Sequence, residues 1–173
     1  MSNTLTSNSK GMNMADHIDR IIDQWRTTHP DIDPEPMELP ARLQYLARAA
    51  GDRITANLAR FNLERWQFDV LATLRRTDRA LTAGELCANS MISGSAMTNR
   101  VDKLAAAGLL TRCTDPDNRR CVRITLTDAG RELVDEVLPT HLDTCRDTLT
   151  GLTDDERETL GHLLRKALAA HTG

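Results

Sequence analysis

Aromatic side chains are scarce in this chain: two Trp, one Tyr and two Phe among 173 residues. That is too few to build the stacking platforms on which proteins hold single-stranded nucleic acids. No run of about 18 apolar residues occurs, so no membrane span is expected. The four cysteines, Cys87, Cys113, Cys121 and Cys145, form no CxxC and no tight cluster with histidine. A zinc site or a thioredoxin-type motif is therefore disfavoured. A nucleophile elbow, a phosphate loop and a His-Glu-x-x-His motif are all lacking, and the five histidines are scattered. The chain is not expected to be an enzyme, and no catalytic residue, metal or cofactor is expected. Residues 1–14, rich in Ser, Asn and Thr, contain no apolar stretch. They read as a disordered tail rather than a signal peptide, which places the protein in the cytoplasm.

What is present is an ordinary globular composition, 40% hydrophobic and 27% charged, in a length that suits one domain over residues 15–173. The net charge of −3 is unevenly spread. Residues 1–92 carry 11 basic and 12 acidic side chains, residues 93–131 carry 7 and 4, and residues 132–173 carry 4 and 9. A basic middle segment on an acidic scaffold suits a DNA-binding module, although charge alone is weak grounds.

Helical periodicity dominates. Ile18, Ile21, Ile22 and Trp25 predict a helix from Asp16 to Thr28, with Asp33-Pro34-Glu35-Pro36 as a stiff linker after it. A second helix is expected from Ala41 to about Phe61 and a third from Glu64 to Arg76. Thr82-Ala83-Gly84-Glu85 is a capping box flanked by Leu81 and Leu86 as a hydrophobic staple, so a short helix should start there. Ser93 or Ser95 can cap the next, which runs to about Ala107 and ends at Gly108. The pair is a helix-turn-helix over about 81–108. Leu110–Thr114 and Cys121–Leu126 then alternate as strands around a basic turn, Asp115-Pro116-Asp117-Asn118-Arg119. A hairpin at 109–127 directly after a helix-turn-helix makes a winged helix, so the fold class is mainly α with a two-stranded wing. Thr127 caps a long helix that Pro139 is expected to kink, and Thr153-Asp154-Asp155-Glu156 caps a last one. Over 128–171 these two helices carry more apolar surface than a small DNA-reading core needs. They are expected to form a homodimer whose two-fold axis sets two recognition helices about 34–36 Å apart, matching a palindromic operator.

Leu109-Leu110-Thr111-Arg112, Asp115 to Arg120 and Ile124-Thr125-Leu126-Thr127-Asp128-Ala129-Gly130 together resemble the wing signature of the MarR (multiple antibiotic resistance regulator) family. Ser93 to Arg100, Leu104 and Gly108-Leu109 resemble its recognition helix. One departure stands out: Asn118-Arg119-Arg120 replaces the family's usual Asp-Arg-Arg, with Asp117 adjacent. The resemblance implies a transcriptional regulator of double-stranded DNA, usually a repressor. Ser93, Ser95, Thr98 and Asn99 are small and hydrogen-bonding, as base edges in a major groove require. Lys103 is better placed for the DNA backbone, and Arg119 and Arg120 suit a phosphate or the minor groove.

The N-terminal helix resembles that of the urate-responsive branch of the family, which joins a tryptophan, an aspartate and an arginine in a ligand pocket. By local context these are Trp25, Asp69 and Arg100 here. The resemblance implies a small-molecule effector, urate or another planar anion, that stacks on the indole, takes paired hydrogen bonds from the guanidinium and releases the repressor from DNA. Two alternatives compete with this reading. One is a regulator that ignores ligands or responds to oxidation, since Cys113 and Cys121 flank the hairpin, though a free cysteine in a cytosolic chain is more often inert filler. The other is a winged helix that binds proteins and not DNA.

Overall fold

The computed structural model describes residues 15–90, 97–115 and 121–171. Within them lie seven helices: α1 (His17–Thr28), α2 (Glu35–Ala59), α3 (Arg65–Thr77), α4 (Ala83–Asn89), α5 (Met97–Ala106), α6 (Asp128–Asp147) and α7 (Asp154–Ala169). One antiparallel pair of strands, β1 (Leu110–Thr114) and β2 (Val122–Leu126), separates α5 from α6. The mainly helical fold with a two-stranded wing is the one the periodicities predict. The N-terminal tail expected over 1–14 lies outside the described residues.

The chain divides into two units, one up to Arg48 and one from Ala49. In the first, Asp16 caps α1 by accepting the amides of Ile18 and Asp19 at 2.8 and 3.0 Å. Arg42 of α2 donates to the Asp16 carboxylate at 2.8 Å and also to Asp19 and Glu38, which ties α1 to the start of α2. The expected linker at 33–36 is a correction. Asp33 Oδ1 accepts the Glu35 amide at 3.0 Å, and α2 begins at Glu35, with Pro36 in its first turn. There the missing N–H of proline has no intrahelical partner to lose, so the residue that suggested a linker is compatible with a helix start.

The second unit holds one apolar core. Leu71 and Leu74 of α3, Leu86 of α4, Val101 and Leu104 of α5, Ile124 of β2 and Val134 and Val137 of α6 are all buried within it. Each such side chain contributes about 1.5–3 kcal/mol relative to an exposed one. The local signals predicted from sequence are in place. Thr82 Oγ1 accepts the Glu85 amide at 3.1 Å and the Glu85 carboxylate accepts the Thr82 amide at 2.8 Å. Leu81 and Leu86 are fully buried beside that box. Gly108 ends the α5 segment at φ +74°, a conformation that side chains other than glycine rarely adopt. Thr153 and Glu156 form the second capping box, and α6 continues through Pro139.

The hairpin is joined to the rest of the unit by its return strand. Leu81 N donates to Ile124 O at 3.0 Å and Ile124 N to Leu81 O at 2.8 Å, so the residue entering α4 behaves as a third rung beside β2. Cys113 stands opposite Arg123 in the register rather than opposite Cys121, which leaves the two thiols diagonal across the hairpin.

Candidate nucleic-acid interface

Helix α5 is built from three buried residues on one face. Met97, Val101 and Leu104 recur at intervals of four and three and all point into the core. At 100° per residue, Asn99 and Lys103 then lie opposite the core and Thr98 lies on one flank. All three side chains are exposed. The same helix thus anchors itself by one stripe and presents polar, hydrogen-bonding groups on the other. Ser93, Ser95, Arg119 and Arg120, the remaining residues predicted to meet DNA, lie outside the described residues.

The flank carrying Thr98 turns toward the hairpin. A cavity of about 360 Å³ opens there, bordered by Thr98, Gly84, Arg112, Cys121 and Val122, and Arg112 is paired with Asp102 of α5. The opposite flank carries Arg100, which turns toward α3. Its guanidinium lies 5.8 Å from the centre of the Trp66 ring, inside the range of a cation–π contact. Its Nη1 is buried and has no hydrogen-bond partner. Asp69 follows Trp66 by three residues and so shares a face of α3 with it.

Trp66 lies one turn before Asp69, a spacing visible in the sequence, and its indole N–H donates to Glu64 at 2.8 Å. In the first unit, Trp25 is 37% exposed, with its ring 5.1 Å from that of His29.

Charge holds the start of α4 in place. The Thr82 amide, followed by Arg79 and the Thr82 hydroxyl, lowers Glu85 from 4.5 to about 2. A carboxylate depressed in the folded state stabilises above its unfolded pKa and loses that contribution as pH falls through the folded value. The stability difference between wild type and Glu85→Gln should therefore be constant above about pH 5 and vanish between 4.5 and 2. Denaturant titrations of both proteins across that window check it. A difference that grows on acidification would contradict the assignment.

Comparison with known proteins decides the family. The MarR family model matches residues 61–120. The HTH-type transcriptional regulator PecS of Dickeya dadantii (strain 3937) is 34% identical over 149 residues, 85% of this chain and 90% of that protein. The chain belongs to the MarR family. Among solved structures, a mutant of MarR from E. coli complexed with operator DNA superposes with a TM-score of 0.71 at 25% identity, covering 80% of this chain and 99% of that one. Bordetella bronchiseptica BpsR, whose DNA binding is regulated by 6-hydroxynicotinic acid, superposes with a TM-score of 0.68 at 29% identity, covering 74% and 91%. As a member of this family the chain is a non-enzymatic DNA-binding transcriptional regulator. Among the described residues no helix is long and apolar enough to cross a membrane, and no group of three or more His, Cys, Asp or Glu could hold a metal ion.

Proposed function

We propose that this protein is a cytoplasmic, homodimeric repressor that reads a palindromic operator and is released from it by a planar aromatic anion. The observation that carries the DNA reading is the exposed stripe of Asn99 and Lys103, with Thr98 beside it, opposite the buried Met97, Val101 and Leu104 on α5. In this reading Ser93, Ser95, Thr98 and Asn99 meet base edges in the major groove, Lys103 meets the backbone, and Arg119 and Arg120 reach a phosphate or the minor groove. The resemblance of MarR in its operator complex supports this assignment of roles.

The effector reading rests on Arg100. It is carried by the recognition helix, so an anion that draws its guanidinium changes where that helix sits. The unpartnered Nη1 and the neighbouring Trp66 face supply a hydrogen-bond donor and an aromatic surface, which suit a flat anion of the urate class. Asp69 is the group such an anion would repel. BpsR, regulated by 6-hydroxynicotinic acid, is a relative that answers to a ligand of that kind. Trp25 enters the proposal through the resemblance alone. Any release requires the DNA-bound and free forms to differ in their affinity for the anion.

Fluorescence anisotropy on the intergenic DNA beside the protein's own gene, across a salt series and with and without urate, tests both parts. Tight binding that weakens steeply with salt and with urate is the expected result. Tight binding indifferent to urate retains the repressor and rejects urate, and no binding to any duplex overturns the function. Replacing Arg100 or Trp25 by alanine should abolish the response to the anion, while Trp25→Ala leaves DNA affinity within about threefold, less than one kcal/mol. A normal response in both variants removes the pocket.

A further inference from the structure

A cation on the wing of a DNA-binding protein would by default be assigned to a phosphate. Arg123, in the middle of β2, is placed otherwise. Its Nε donates to Asp115 Oδ2 at 2.6 Å and its Nη1 to Glu85 Oε2 at 3.3 Å. Asp115 stands just beyond the end of β1, where the wing turn begins, and its side chain is only 9% exposed. Glu85 belongs to the first turn of α4, where it is held by the Thr82 amide at 2.8 Å and by Arg79 at 2.8 Å. One guanidinium therefore bridges the foot of the wing turn and the first helix of the helix-turn-helix. It does so beside the two backbone hydrogen bonds that join Ile124 to Leu81.

We propose that Arg123 is a positioning residue: it clasps the wing to α4 through Asp115 and Glu85 and so fixes how the wing approaches DNA. The inference rests on the reading that this face binds duplex DNA. A two-stranded hairpin has little stability of its own, so its direction must be set by what its base is tied to. Charge-assisted bonds from a forked guanidinium supply direction as well as attraction. Arg123 and Glu85 are 38% and 36% exposed, and ion pairs at that exposure contribute little to global stability. The Glu85 arm should thus be visible in DNA binding at temperatures where the protein is fully folded, whereas loss of Arg123 also removes one partner of the nearly buried Asp115 carboxylate and lowers Tm.

The substitution Glu85→Gln separates this role from a direct phosphate contact, because glutamine keeps the capping box and deletes the charge that Arg123 and Arg79 share, while the Arg123 variants leave the Arg79 pair in place and isolate the share of Arg123. If Arg123 met a phosphate, freeing it from Glu85 and removing a negative charge near the DNA would leave affinity unchanged or raise it. If Arg123 positions the wing, affinity falls. The experiment measures anisotropy of wild type, Glu85→Gln, Arg123→Gln and Arg123→Lys on the duplex from beside the protein's own gene and on a random-sequence duplex, together with Tm. The expected result is a loss of about tenfold for Glu85→Gln and for Arg123→Gln and a smaller loss for Arg123→Lys, which keeps the charge but not the fork, with every variant folded at the assay temperature by circular dichroism. Glu85→Gln binding as well as or better than wild type overturns the proposal. Loss of binding that appears only where circular dichroism shows the variant to be unfolding also overturns it, because the clasp would then be merely structural. A wild-type protein that binds neither duplex overturns the DNA-binding reading and the clasp with it.

Discussion

Gly130→Ala is expected to cost about 3 kcal/mol of stability, although alanine is the better helix former and Gly130 lies in the first turn of a helix. A Cβ at this position would meet the Leu109 carbonyl oxygen at 2.2 Å and Leu126 Cδ2 at 3.1 Å. The first neighbour is backbone, and it is already committed. Leu109 O accepts the Thr127 amide at 3.1 Å, and Thr127 is the N-cap of α6, its Oγ1 accepting the Gly130 amide at 3.0 Å and donating to Gly108 O at 2.8 Å. Moving Leu109 away from a new methyl group breaks this lock between the end of the α5 segment, the start of β1 and the start of α6. Gly84→Ala is the control: the nearest atom to its Cβ is Thr82 Oγ1 at 4.0 Å, so it should be neutral or gain up to about 1 kcal/mol from helix propensity. Thermal unfolding distinguishes the two, with Tm falling by roughly 6–12 °C for Gly130→Ala at 2–4 °C per kcal/mol. Equal Tm values for the two variants would show that α6 can slide away from Leu109 at no cost.

What could be read from the sequence follows the range of the interactions. Thr82 with Glu85 and Thr153 with Glu156 act over three residues, and both boxes are where the sequence places them. The alternation of Val122, Ile124 and Leu126 marks β2, and the switch from a period of about four to a period of two marks the wing. The Pro34–Pro36 segment misleads because proline is equally at home in a linker and in the first turn of a helix. Arg123 shows where local reading ends: its carboxylates lie 8 and 38 residues away, and no spacing rule links a strand residue to a helix cap. Register is a similar case. Cys113 and Cys121 both flank the turn, but only the pairing of Leu110 with Leu126 shows that Cys113 faces Arg123. Trp66 and Arg100 meet across α3 and α5, a contact that depends on how two helices cross. The side-chain pattern of α5 was legible; the partner on α3 was not.

The largest effect on DNA binding is expected from substitutions outside α5, the helix proposed to read DNA. None of the α7 residues is buried, although Leu160, Leu163, Leu164, Ala167 and Leu168 follow a helical repeat. Leu163 and Leu168 are 55% and 61% exposed, and on α6 Leu138 and Leu142 are exposed as well. An amphipathic helix that buries none of its apolar residues within its own chain is short of a partner, and the proposed partner is a second copy of this chain. Two half-sites held on one dimer raise affinity by 10²–10⁴ over one half-site, because the second contact becomes intramolecular. Leu163→Asp combined with Leu168→Asp places two charges in that surface. It should yield a monomer by sedimentation and weaken operator binding at least 100-fold, while an isolated half-site is bound equally by both proteins. Folded monomers of obligate dimers are often unstable, so Leu164→Ala provides the milder case. It should shift the dimer dissociation constant and the operator affinity together, leaving the circular dichroism at high protein concentration unchanged. A double-aspartate variant that still sediments as a dimer, or a Leu164→Ala protein whose association is unaltered, would move the interface away from α7.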